Sequence, residues 1–227
     1  EIRQIEGMYA FFDALLDRFP KLTIDNANWR GTGPDLEMMR RSVGSLTRSE
    51  LTSSGLPHPT SDQAHTTELS LWIPLDSNLL HMPDPYNFRS TMTTGVGIGM
   101  NLNSPYVPID QLKKGIEELK SVRQYWLGDY YPLAPGSLDE TVWAGYQFHS
   151  PDQAAGFALM FRRPHAAQAM FTAHLRGLEP KTRYRVTFAE TFDVKETRTM
   201  TGAELAKLRV EIGSAPGSLM VRYQKTP

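Results

Sequence analysis

Apolar residues recur at helical spacing through residues 8–19, and Pro20 closes the run, so the pattern predicts a helix followed by a short strand over 21–24. That strand ends on the polar pair Asp25-Asn26. A second unit follows: a helix over 35–43, where Asp35 stands after Pro34 to cap, Glu37 lies in the first turn and Leu36, Met39 and Val43 share a face. The next strand, over 46–49, ends on Glu50. Residues 52–61 are rich in Ser, Thr, Gly and Pro and read as a loop, and 63–72 resume as a helical or extended segment that closes at Ile73-Pro74-Leu75, a third rim position. Between 88 and 102, Gly95, Gly97 and Gly99 alternate with Val96, Ile98 and Met100, the signature of a strand with close backbone approach. The same stretch lacks the Gly-Lys-Ser/Thr ending of a phosphate loop, so packing is the reading it supports. Asp110 is placed to cap a helix over 111–125, along which Leu112, Ile116 and Leu119 follow the helical period.

Beyond Tyr130 the period changes. Residues 142–148, 156–161, 169–175, 183–188 and 218–223 are strand-like and bounded by turn residues, while 205–212 fits a short helix or a strand. Alternating helices and strands predict parallel strands with covering helices for the first part, and the strand series predicts an antiparallel β-sandwich for the second. Two polar strand ends in succession, Asp25-Asn26 and Glu50, are how an α/β barrel builds an active-site rim. No repeat or low-complexity linker separates the two parts, so a packed boundary near Tyr131-Pro132 is expected.

Twenty-four Lys and Arg against twenty-five Asp and Glu leave a formal charge of −1, which provides no field for nucleic acid or an anionic membrane and suits a neutral ligand. The absence of cysteine excludes disulfides and thiolate metal sites. No apolar run approaches the roughly 20 residues of a membrane-spanning helix. The chain opens without an initiating Met in the approach to a helix, and is expected to be a piece of a longer product.

Several separate runs resemble the α-galactosidase (melibiase) family of glycoside hydrolases, clan D. They are Leu22-Thr23-Ile24-Asp25-Asn26, residues 35–42, Arg48-Ser49, Leu69-Ser70-Leu71-Trp72-Ile73-Pro74, Asp84-Pro85-Tyr86-Asn87-Phe88-Arg89-Ser90 and Leu127-Gly128-Asp129-Tyr130-Tyr131-Pro132-Leu133. Trp143 to Phe148, Phe161-Arg162-Arg163-Pro164 and Leu175-Arg176-Gly177-Leu178 extend the likeness. The resemblance implies that residues 1–130 form the second half of a (β/α)8 TIM barrel and residues 131–227 the C-terminal antiparallel β-sandwich domain. It implies α-glycoside hydrolysis by a retaining two-carboxylate mechanism, no cofactor, and a nucleophile upstream of Glu1. A missing N-terminal region or a partner chain, with homo-oligomerisation as a further route, would then complete the barrel.

In that family an Asp following Arg-Ser is the acid/base; here Arg48-Ser49 is followed by Glu50, which keeps the carboxyl and lengthens its arm. The loop 27–34 departs further, with Ala27 in place of a Cys and Trp29 and Arg30 where the family has small residues. Asp25, Asn26, Trp29, Arg30 and Arg48 are therefore the expected sugar contacts, with a specificity other than plain α-galactose: a Trp ring can stack on a pyranose and Arg30 can bind a carboxylate, a sulfate or a hydroxyl. The alternative is a noncatalytic carbohydrate-binding or scaffolding relative that kept the fold. His58, His65 and His81 have no metal-ligand spacing and read as surface or packing residues. Arg89 fits a structural salt bridge and a ligand contact equally, and Trp72, Trp126 and Trp143 lie in apolar patterns expected to be core.

Overall fold

The computed structural model describes residues 2–25, 36–43, 58–73, 77–93 and 95–226. The first helix, α1 (Ile2–Arg18), half-buries Ile5, Met8, Tyr9, Phe12, Leu15 and Leu16, the stripe expected of a 3.6-residue period. Arg41 fastens it to α2 (Leu36–Met39). Its Nε and Nη2 donate to the Asp13 carboxylate at 2.7 and 2.9 Å, its Nη1 donates to Glu37 at 3.0 Å, and its guanidinium lies 4.8 Å from the Tyr9 ring centre. The helix predicted over 35–43 is shorter than expected. After Met39 the chain turns, and Val43 donates to Ile24 O and pairs in parallel across from Asp25, so the last residues of that run serve as strand.

Next come α3 (His58–Leu69), β1 (Ser77–Leu80), α4 (Pro85–Thr91), β2 (Gly95–Ile98) and α5 (Ile109–Val122). β1 and β2 pair in parallel, Ser77 opposite Gly95 and Leu80 opposite Ile98. The glycine alternation is thus a strand. Asp84 caps α4: its carboxylate accepts from the Tyr86 and Asn87 amides at 3.0 and 3.1 Å, and Pro85 takes the first helical position. Asp110 does not cap α5. Pro108 occupies that position and Asp110 falls inside the first turn, where its charge still complements the helix dipole. A 3-10 turn, Arg123–Tyr125, ends the helical part.

The remainder is mainly antiparallel sheet. Strands β3 (Asp129–Pro132), β4 (Ala144–Ser150), β5 (Ala155–Arg162), β7 (Arg183–Ala189), β8 (Glu196–Thr201) and β10 (Gly217–Lys225) form one six-stranded sheet in the order β3-β4-β5-β10-β7-β8. The last strand, β10, is inserted between β5 and β7. Strands β6 (Met170–Ala173) and β9 (Leu208–Glu211) make a separate pair, and the short helix α6 (Gly202–Leu205) precedes β9, so the ambiguous run 205–212 is helix end and then strand.

The large sheet is covered on both faces. Tyr146, Phe148, Phe157, Leu159 and Phe161 face Phe88, Met92, Leu112 and Val122 of the helical part. Ala158, Met160, Val186, Val221 and Tyr223 face Leu205, Leu208 and Val210 on the small sheet, giving a β-sandwich. Double coverage explains why β4 and β5 are buried along nearly their whole length instead of alternating. Each deeply buried Leu, Phe or Val in such a layer contributes about 1.5–3 kcal/mol. The first core spans the expected boundary near Tyr131-Pro132 without interruption.

Candidate functional site

Parallel strands deliver their side chains to one rim, at the C-terminal strand ends. Among the described residues the C-terminal ends of the parallel pair make a rim that carries His81 after β1 and Gly99 after β2, while Asp25 lies in an isolated parallel bridge with Val43. Asp25 and His81 are exposed. The Gly99 amide donates to Leu80 O at 2.8 Å and prolongs the ladder by one residue. The His81 ring lies directly over Gly99, where an added Cβ would come within 2.8 Å of Cε1. Glycine at 99 therefore sets where the imidazole stands.

Of the six residues expected at the site, Asp25 is the one within the described residues. Asn26, Trp29 and Arg30 lie in 26–35, and Arg48 and Glu50 in 44–57, outside them. His81 was expected to be a surface or packing residue, and it is exposed at the surface; β1 was not foreseen, because the tetrapeptide Ser77-Asn78-Leu79-Leu80 carries no strand alternation.

Behind the rim, α3 is a polar helix in a buried position. Thr60, Ser61, Asp62, Gln63, Thr66 and Thr67 are all buried. Partners on neighbouring elements replace water. Gln63 Nε2 donates to Ser90 Oγ at 2.8 Å, and its Oε1 accepts from Arg163 Nε at 2.9 Å. Thr60 Oγ1 donates to Glu140 Oε1 at 2.9 Å, and His65 Nδ1 stands 2.9 Å from Asn78 Oδ1. Burial pushes the Asp62 carboxyl up to about 8, so it carries its proton at neutral pH. The same desolvation holds His65 below the usual imidazole range, against the opposing effect of its hydrogen bond to Asn78. Both groups are thus kept neutral, as an interior requires.

Arg89 is a structural residue. Its Nε and Nη2 donate to the two Glu118 carboxylate oxygens at 2.8 and 2.7 Å, and Nη1 and Nη2 donate to Glu190 O and Thr191 O at 2.9 and 2.6 Å. Nη1 also reaches Ser218, at 3.2 Å to Oγ. This fork is fully spent on α5, β10 and the turn after β7, which leaves nothing for a ligand. A second polar cluster lies inside the sandwich. Gln147 Nε2 donates to Tyr223 Oη at 2.7 Å, and that hydroxyl lies 3.1 Å from His149 Nδ1. Burial lowers the His149 pKa and raises that of Tyr223, so the imidazole and the phenol both stay neutral, and Nδ1 is placed to accept a hydrogen bond from the hydroxyl. Among the described residues no group of His, Asp and Glu could hold a metal ion, and no helix is long and apolar enough to cross a membrane.

No family model and no curated protein matches the sequence. Solved structures do. The fold is shared with α-galactosidases. The galactosidase domain of the α-galactosidase-sucrose kinase AgaSK is similar over 97% of this chain with a TM-score of 0.74 and 18% identity. The GH36 α-galactosidase AgaB of Geobacillus stearothermophilus is similar over 97% with a TM-score of 0.75 at 18% identity. So is a doubly substituted AgaA from the same organism, solved in complex with raffinose, at the same TM-score of 0.75 and 18% identity. The chain spans 31% of the length of each of these α-galactosidases. The sequence resemblance and the three-dimensional likeness thus point to the same proteins, and the match is consistent with their C-terminal portion.

Proposed function

We propose that this chain is the C-terminal portion of a retaining glycoside hydrolase of the α-galactosidase type, acting on α-glycosides with altered sugar specificity. Residues 1–130 supply the second half of a (β/α)8 barrel, and residues 131–227 the C-terminal β-domain packed on it. The observation that carries this reading is the likeness to α-galactosidases along 97% of the chain, joined to a parallel strand pair whose C-terminal ends form a polar rim.

In this reading Glu50, which follows the strand expected from the sequence over 46–49, is the general acid/base. Asp25, Asn26, Trp29, Arg30 and Arg48 shape the sugar site from neighbouring strand ends, and the nucleophile comes from outside these 227 residues. A retaining mechanism holds the two carboxyl groups about 5 Å apart: one attacks the anomeric carbon, and Glu50 protonates the departing oxygen and then deprotonates water. The extra methylene of Glu50 moves that proton relative to an aspartate, which favours an aglycone seated differently from that of the α-galactosidases.

The test is hydrolysis of aryl α-glycosides by the full-length protein and its Glu50→Gln variant. With an activated leaving group the variant should retain glycosylation, accumulate the glycosyl-enzyme and recover turnover on adding azide. Unchanged turnover would remove Glu50 from the mechanism. Sugar binding with no hydrolysis of any α-glycoside would favour a noncatalytic carbohydrate-binding relative.

A further inference from the structure

Trp72 belongs to an apolar run and was expected in the core, yet it is 52% exposed. In sequence it lies between α3 and β1, whereas His81 and Gly99 follow the C-terminal ends of β1 and β2. Two hollows meet at this indole. One, of about 350 Å³, runs between α3 and the loop 136–138 and is lined by His65, Glu68, Leu69, Trp72, Ser137 and Leu138. The other, of about 260 Å³, is lined by Leu71, Trp72, Trp126, Leu127 and Tyr130.

The polar groups of the first hollow are few and convergent. Glu68, in the last turn of α3 and four residues before Trp72, is exposed, and its carboxylate has no hydrogen bond or ion pair among the described residues. Its Oε1 lies against the backbone of Gly136, where an added Cβ would make the flexible carboxylate swing aside. Ser137 Oγ accepts from the Asp139 amide at 3.0 Å and keeps its own proton to donate. In the wall of the second hollow, Trp126 is buried and its indole N–H has no acceptor.

We propose that the Trp72 hollow is a saccharide-binding site separate from the rim, taking one pyranose unit of a neutral sugar. The chemistry selects that ligand. A pyranose has an apolar C–H face to lie on an indole and equatorial hydroxyls at its edge, which a carboxylate accepts from and a serine hydroxyl donates to. A second protein surface fits worse: an apolar one would bury Glu68 without a counter-charge, at a cost of the kind proteins avoid. The site stands independently of any catalytic role for Glu50.

Titration of the ¹⁵N-labelled full-length protein with methyl α-D-galactopyranoside and with raffinose, following the Trp72 indole N–H resonance, tests this. A saturable shift of that resonance is expected. Glu68→Gln should weaken binding about tenfold, the effect of losing one charge-assisted hydrogen bond. Trp72→Ala should abolish it, and Gly136→Ala, which displaces the carboxylate, should match Glu68→Gln. Trp72 and Glu68 are exposed and Gly136 is half-buried, and unchanged resonances elsewhere will report an intact fold. The proposal is overturned if neither sugar moves the Trp72 indole, if rim resonances alone respond, or if Glu68→Gln binds as tightly as the parent. Broadening of the Trp72 signal with protein concentration and no sugar response would make the face a self-association surface instead.

Discussion

Replacing Arg89 with Met should be among the most damaging single substitutions in this protein. The side chain is fully buried, and that of Glu118, its partner, is only 3% exposed. Removing the guanidinium leaves the Glu118 carboxylate uncompensated, and breaking a buried pair from one side costs about 3–5 kcal/mol. The carbonyls of Glu190 and Thr191 and the Ser218 hydroxyl lose donors as well, at about 1 kcal/mol for each that water does not reach. The expected total is about 5 kcal/mol. With a urea m-value of about 2 kcal/mol per molar, the unfolding midpoint should fall by about 2.5 M. The double variant Arg89→Met/Glu118→Leu removes the stranded charge and should cost only about 1–3 kcal/mol, because an apolar pair of similar volume often replaces a buried ion pair at little loss. Urea unfolding followed by far-ultraviolet circular dichroism measures both. A single-variant cost below about 1 kcal/mol, or a double variant as unstable as the single, would refute the assignment of Arg89 as the buried tie between helices and sheet.

Asp62 predicts a pH dependence. Its carboxyl is raised from 3.8 to about 8 in the folded protein, so the folded state holds a proton that the unfolded chain releases. The stabilising contribution is full below about pH 4 and is lost as pH rises to about 8, at up to about 1.4 kcal/mol per pH unit. Asp62→Asn should remove that slope, and denaturation profiles of parent and variant that stay parallel from pH 4 to 8 would contradict it. Gly177 has φ of +74°, and a Cβ there would meet His149 Cδ2 at 2.6 Å. Gly177→Ala should cost at least about 2 kcal/mol through left-handed backbone strain and the clash. Gly213→Ala, which has open space around it, should be nearly neutral in the same thermal-unfolding assay and serves as the control.

The chain's local periods determined most of its elements. The stripe of α1, the period of α5 and the apolar runs of β4, β5, β7 and β10 are legible because each element buries a repeating set of its own side chains. The strands that escaped reading are those with little to bury. β3 and β8 are the edges of the large sheet and β8 is mostly exposed, while β1 is a four-residue piece without alternation. The polar helix α3 shows the converse: no hydrophobic pattern announces its burial, because partners on α4, β1 and the loop before β4 satisfy it.

Of the strand expected over 21–24, the described residues keep one isolated parallel bridge, from Asp25 to Val43. That His81 stands over Gly99, that Arg89 is spent on acceptors 29, 101 and 129 residues away, and that Trp72 faces outward from an apolar run were decided by tertiary structure alone. A sequence records what each segment buries, since that leaves a period of two or of 3.6 residues. Which distant segment covers it, and which charge meets which carbonyl, depends on chain crossings such as the insertion of β10 between β5 and β7, and these leave no local period to read.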